Sequence, residues 1–127
     1  MTSSGGPAAD TRHAGAQKVY FVCFTDPDGA TVDEIRAVLP EHKAWVVEQE
    51  SAGHLVMAGP FLTDEHVYSG TGMLIVRASS AQEASDFMSA DPMHASGLRR
   101  FRIVPWQVNE GTLDVRLTLS TGRHELG

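Results

Sequence analysis

Two residues of this 127-residue chain combine a titratable side chain with surroundings suited to proton transfer, His42 and Asp91. His42 lies on the line joining Leu39 to Val46, the apolar face of a helical stretch, so its imidazole points inward. An inward imidazole is where a proton acceptor is wanted, because histidine titrates near neutrality. The same position suits a core histidine hydrogen-bonded to a carbonyl, and position alone does not separate these readings. Asp91 precedes Pro92 after a second helical stretch. It reads either as a turn residue ending that helix or as an acceptor for the imidazole, which would fix the tautomer and raise its basicity.

Other candidates are weaker. Gly59-Pro60 closes an apolar stretch where a ligand can approach the backbone, though a structural turn explains it equally. Arg99, Arg100 and Arg102 can pin a carboxylate or phenolate, and Arg100 is the candidate substrate contact among them; alternating charge on a strand more often marks a solvated face. A metal site from His42, His66, His94 and Asp91 lacks a short ligand spacing such as His-x-x-x-His and would need loop closure. Cys23, the one cysteine, sits inside an apolar run and reads as a buried, inert thiol. Trp45 and Trp106 read as core or interface residues before they read as stacking platforms.

These residues need elements to hold them. Lys18 to Thr25 is apolar on both faces, which predicts a central strand, and Asp26-Pro27-Asp28-Gly29 predicts the turn that stops it. Thr31 and Glu34 have capping-box spacing, and Ile35, Val38, Leu39, His42, Trp45, Val46 and Gln49 recur at helical intervals. Pro40 interrupts that pattern, so a short helical lead-in and a main helix with Pro40 in its first turn are expected, ending at Gly53. His54 to Gly59 reads as a second strand, Phe61 to Gly70 as a polar loop or connector, and Thr71 to Arg77 as a third strand. Ser80 and Glu83 open a second helix with Ala84, Phe87 and Met88 on its inner stripe, and Gly97 to Trp106 is a fourth strand.

The order β-α-β-β-α-β predicts an α+β, ferredoxin-like domain over residues 18–107, an antiparallel sheet with both helices on one face. The strands are apolar on both faces, so the open face is expected to be buried in a homodimer. Residues 108–127 alternate Leu113, Val115, Leu117 and Leu119 with polar residues and predict an extra C-terminal β-hairpin, laid against the sheet or across to a partner. Residues 1–17 are rich in Gly, Ser, Ala and Thr, lack a signal-peptide apolar core, and read as a disordered tail of a cytoplasmic protein.

The formal net charge of −6, with no basic block, argues against nucleic acid as a partner. No apolar run approaches membrane-spanning length. Neither a phosphate loop nor a dinucleotide fingerprint is present, and no cofactor is called for.

The run His42, Trp45, Val46, Gly53, Leu55 and Ala58-Gly59-Pro60, continued by Glu83-Ala84, Phe87, Asp91-Pro92 and Gly97-Leu98, resembles the YciI-like (YCII-related) family. The resemblance spans about Val19 to Trp106; Met93 departs from it, standing where an aromatic often follows Asp-Pro. It implies a ferredoxin-like fold assembled as a dimeric α+β barrel, with an active site on the His and Asp matching His42 and Asp91. It also implies elimination chemistry on hydroxylated, halogenated aromatics, or proton transfer as in the related muconolactone-isomerase fold, although fold similarity alone transfers neither reaction. The expectation is a cofactor-independent lyase or isomerase of a small acidic or aromatic metabolite, with His42 as base, Asp91 as its orienter, and Gly59, Pro60 and Arg100 as substrate contacts. The alternative is a noncatalytic dimer that binds a small molecule or a protein partner.

Overall fold

A computed structural model describes residues 19–126; the segment expected to be an N-terminal tail lies outside them. The chain runs β1 (Val19–Pro27), α1 (Val32–Ser51), β2 (Leu55–Leu62), β3 (Tyr68–Val76), α2 (Ala81–Ser89), α3 (Pro92–Ala95), β4 (Arg99–Gln107), β5 (Val115–Thr118) and β6 (Arg123–Leu126). The first four strands form an antiparallel sheet in the order β2-β3-β1-β4. The strand with the long apolar run, β1, is central: Cys23 faces Leu74 of β3 on one side and Ile103 of β4 on the other.

Side chains alternate across a strand, so register decides which residues meet the helices. Phe21 and Cys23 of β1, Leu74 and Val76 of β3, and Leu55 of β2 pack with Trp45 of α1 and with Ala84 and Met88 of α2. Phe101 and Ile103 of β4 flank this cluster. Burial pushes the Cys23 thiol up to about 12, with the nearby Asp91 charge acting in the same direction, so the thiol stays protonated and unreactive.

Four expectations are corrected. α1 is one helix of 20 residues that runs through Pro40 without a break. Pro40 and Arg36 are both exposed, so the Arg36 carbonyl that loses its partner faces solvent, while the inner stripe from Ile35 to Trp45 continues underneath. β2 continues through Gly59-Pro60 to Leu62, because it is an edge strand where the missing proline N–H costs no ladder bond; the register shifts between Pro60 and Leu62. The stretch read as a polar loop is therefore mostly hairpin, its turn holding His66 at φ 64°. Beyond the sheet, β5 and β6 pair in a separate two-stranded sheet. The strand expected to be half-buried is exposed in the single chain, with Leu117 at 66% and Leu119 at 89%.

The ends of the helices follow local rules. The Thr31 side chain accepts from Glu34 N at 3.1 Å and the Glu34 side chain accepts from Thr31 N at 2.8 Å, a complete capping box. Ser80 caps α2 by accepting from Glu83 N. Trp45 is the one buried residue of α1, and its indole N–H has no partner among the described residues although the ring is buried. Trp45→Phe is therefore expected to change stability by less than about 1.5 kcal/mol, since no hydrogen bond is lost and most of the volume is kept. Trp45→Ala is expected to cost about 3–5 kcal/mol in urea denaturation, as the cavity opens beneath α1.

Candidate functional site

The helix-side face of the sheet is unevenly covered. Toward Phe21 and Val76 it is packed by α2; toward Thr25 and Gly72 it opens into a cavity of about 650 Å³ between α1 and the β2-β3 hairpin. Small residues leave this room: Ala58, Gly59, Gly70 and Gly72 all line it. At Gly72 the strands approach so closely that a Cβ would lie 3.0 Å from the Gly59 carbonyl oxygen, so glycine is needed to hold β2 against β3 here.

His42 enters the cavity from the middle of α1, and Asp91 from the start of α3. The imidazole Nδ1 lies 2.8 Å from Asp91 Oδ1. A carboxylate only accepts, so Nδ1 carries the hydrogen and the lone pair lies on Nε2, for which the described residues supply no partner. Asp91 is 1% exposed and also accepts from the Met93 backbone N–H at 3.0 Å, acting as the N-cap of α3 with Pro92 at the first helical position. His42 keeps 26% side-chain exposure and stacks against Trp45 at 6.3 Å between ring centroids. The geometry holds one nitrogen of a half-buried imidazole and leaves the other available to a molecule in the cavity.

A second histidine lies behind this pair. His94 Nδ1 donates to the Met88 carbonyl at 2.8 Å, so Nε2 accepts from the Thr25 hydroxyl at 2.9 Å. Its side chain is only 3% exposed, and burial lowers its pKa below the ordinary 6.5 despite the bond to Met88 and the charge of Asp91. Thr25 Oγ1 in turn accepts from Arg99 Nε at 3.1 Å. Burial lowers the Arg99 pKa as well, opposed by Asp26 and Asp91, but a guanidinium remains cationic at any physiological pH.

Of the residues singled out from sequence, the structure brings His42, Asp91, Gly59 and Pro60 to one cavity. Arg100 is not among its lining residues; it pairs with Asp26 at 3.1 Å and with Asp28 at 3.8 Å, and its neighbour Arg99 lines the cavity instead. His66 stands in the hairpin turn and is not a lining residue. No cluster of three or more His, Cys, Asp or Glu side chains placed to hold a metal occurs among the described residues. Sequence reasoning passed over Thr25, Lys43 and Gly72. The Gly70-x-Gly72 spacing was the one available signal, since glycines inside a strand often mark close backbone approach.

Residues 19–107 match the YCII-related domain, and the chain belongs to that family. No curated protein matches it significantly. Among solved structures it is similar to 5-chloro-2-hydroxyhydroquinone dehydrochlorinase from Burkholderia phenoliruptrix AC1100, in complex with 2,5-dihydroxybenzoquinone. The TM-score is 0.55 at 20% identity, covering 72% of this chain and 95% of the other, which is a likeness of fold. None of the helices among the described residues is long and apolar enough to cross a membrane.

The buried His94 predicts a pH dependence of stability. Its native pKa is depressed, so below the ordinary value of 6.5 the unfolded chain binds a proton that the native protein refuses. Stability should therefore fall as pH drops through about 6.5, and level off once the native pKa is passed. Urea midpoints measured from about pH 7.5 downward should show a shallower decline in His94→Gln than in the unaltered protein. Parallel curves would mean that His94 is not the source.

Proposed function

We propose that this chain is a proton-transfer enzyme, a lyase or isomerase of a small acidic or aromatic metabolite, with His42 as general base and Asp91 as the residue that orients it. One observation carries this reading: an imidazole hydrogen-bonded at 2.8 Å to a buried carboxylate, on the wall of a cavity large enough for a ring-sized molecule. Nε2 accepts a proton from the substrate, and the imidazolium so formed is stabilised by Asp91. In an elimination, the electron pair of the broken bond to hydrogen becomes the new π bond and the leaving group departs as an anion. In an isomerisation, the imidazolium returns the proton to a different atom. The dehydrochlorinase whose fold is similar removes hydrogen and chloride from a chlorinated aromatic, an elimination of the first kind.

The working unit in this reading is a homodimer in which two ferredoxin-like sheets close face to face as an α+β barrel. The sheet face away from the helices supports it. Tyr20, Val22, Phe24, Met73 and Ile75 alternate with the core residues of β1 and β3, and Met57, Phe61, Val104 and Trp106 are exposed in the single chain. Phe24 and Phe61 stack at 6.4 Å, and the Arg102 guanidinium covers the Phe24 ring at 4.3 Å. An aromatic patch of this kind on a small domain favours burial against a second copy. The exposed leucines of the β5-β6 hairpin give that copy a further surface to grip.

Chloride release from 5-chloro-2-hydroxyhydroquinone tests the chemistry. His42→Ala should lose about 10²–10⁴-fold in turnover, Asp91→Asn should stay folded and lose part of it, and the double variant should be no worse than the poorer single one. A folded His42→Ala protein with normal turnover would remove the general base from the account. A protein that binds the compound but releases no chloride supports the noncatalytic binding reading. Sedimentation at micromolar concentration should give twice the chain mass, and ending the chain after Gln107 should weaken that association. A stable monomer would overturn the assembly.

A further inference from the structure

The cavity beside His42 holds a charge that acid–base chemistry leaves unused. Arg99, the first residue of β4, reaches across the ends of β1 and β3. Its Nε donates to Thr25 Oγ1 at 3.1 Å, and its Nη2 donates to the Thr25 carbonyl at 3.2 Å and the Gly70 carbonyl at 2.9 Å. All of these acceptors are neutral. None of the ion pairs among the described residues includes Arg99, whereas Arg100 next to it has two aspartate partners. The guanidinium is thus held by neutral acceptors, with the Asp26 and Asp91 carboxylates near it but not in contact with it.

Its orientation is set from behind. Because the Met88 carbonyl commits His94 Nδ1 to donating, Nε2 must accept, the Thr25 hydroxyl must donate to it, and the oxygen lone pairs are left for Arg99 Nε. Nε and Nη2 are consumed by this arrangement. Nη1 has no partner among the described residues and is not among the buried polar atoms, so this edge of the fork stays open. A half-buried cation with one open edge calls for a counter-charge, and a guanidinium edge matches the oxygens of a carboxylate or phenolate. The wall around it is otherwise largely apolar, through Ile35, Leu39, Val46 and Leu74.

We propose that Arg99 is the anion anchor of this cavity, which therefore takes a small molecule with an apolar, ring-sized body and an anionic oxygen group set against Nη1. Thr25 and His94 are positioning residues for that anchor. The proposal rests on reading the cavity as the substrate site, and it can be tested without turnover.

Benzoate and benzamide share a shape and differ in charge, so titration of the full chain with each, followed by amide NMR shifts, isolates the anchor. Benzoate should shift Gly70 and Gly72 and bind about ten- to a hundredfold more tightly than benzamide, the range of one charge-assisted contact. Arg99→Gln should abolish the preference and leave benzamide binding as it was. The preference should persist in Lys43→Gln and in His42→Ala, which remove the other basic side chains among the described lining residues. Equal binding of the two probes by the unaltered protein overturns the proposal, as does a preference that vanishes with Lys43 or His42. These measurements decide the matter even if Arg99→Gln does not fold. Lost charge preference with chloride release still dependent on His42 removes the anchor alone, and intact preference with His42-independent release removes the base alone.

Discussion

The hydrogen bond from His42 to the buried Asp91 carboxylate is the constraint on which the arrangement of this site depends. It ties the middle of α1 to the start of α3, two segments 49 residues apart in the chain. A carboxylate at 1% exposure must be given donors, because burying it unpaired would cost several kcal/mol. The donors come from two sources, a side chain across the fold and the Met93 N–H of its own N-cap turn. The turn of α3 therefore does more than end α2: with Pro92 setting the backbone, it keeps the carboxylate aimed at α1.

The same sheet face serves as core and as binding space. Along β1 and β3 the inward residues pass from Phe21, Cys23, Val76 and Leu74, which meet α2 and Trp45, to Thr25, Gly72 and Gly70, which meet open space. Side-chain size decides the change. Where residues are large the face is packed and dry; where they are small, α1 stands away from the sheet and leaves a cavity. Trp45 sits at the boundary, buried on the core side and stacked on His42 toward the site. Rigid packing on one side thus positions a polar pair on the other.

The polar groups of the cavity fall into two linked sets that share Asp91 and His94 as near neighbours. In one, Asp91 holds His42 by a single nitrogen; in the other, Met88, His94 and Thr25 hold Arg99. His94 and Asp91 are 3.8 Å apart, so the sets lie side by side without a direct hydrogen bond. In both, a group with two hydrogen-bonding sides has one side committed to the protein, which leaves the other directed at the cavity. That is how a protein site gains orientation at little entropic cost when a ligand arrives.

Much of this was legible from residue order, and the physical reasons mark where legibility stops. Capping-box spacing at Thr31 and Ser80, apolar periodicity in α1 and the unbroken apolar run of β1 are local signals, so the elements and the inward placement of His42 could be read directly. Pro40 and Gly59-Pro60 misled because a proline's cost depends on what it faces. One lies on the solvent side of a helix and the other on a sheet edge, and neither environment is visible before the elements assemble. The arginines show the limit most sharply. Adjacent strand residues point to opposite faces, so Arg99 and Arg100 carry the same chemistry in sequence and opposite surroundings in the fold. The sequence by itself determined the elements and the presence of an inward imidazole, because those follow from short-range periodicity. Only tertiary structure decided that Asp91 receives its hydrogen, that Arg99 faces the cavity and that Gly72 makes room for it, because those depend on register and on contacts between segments far apart in the chain.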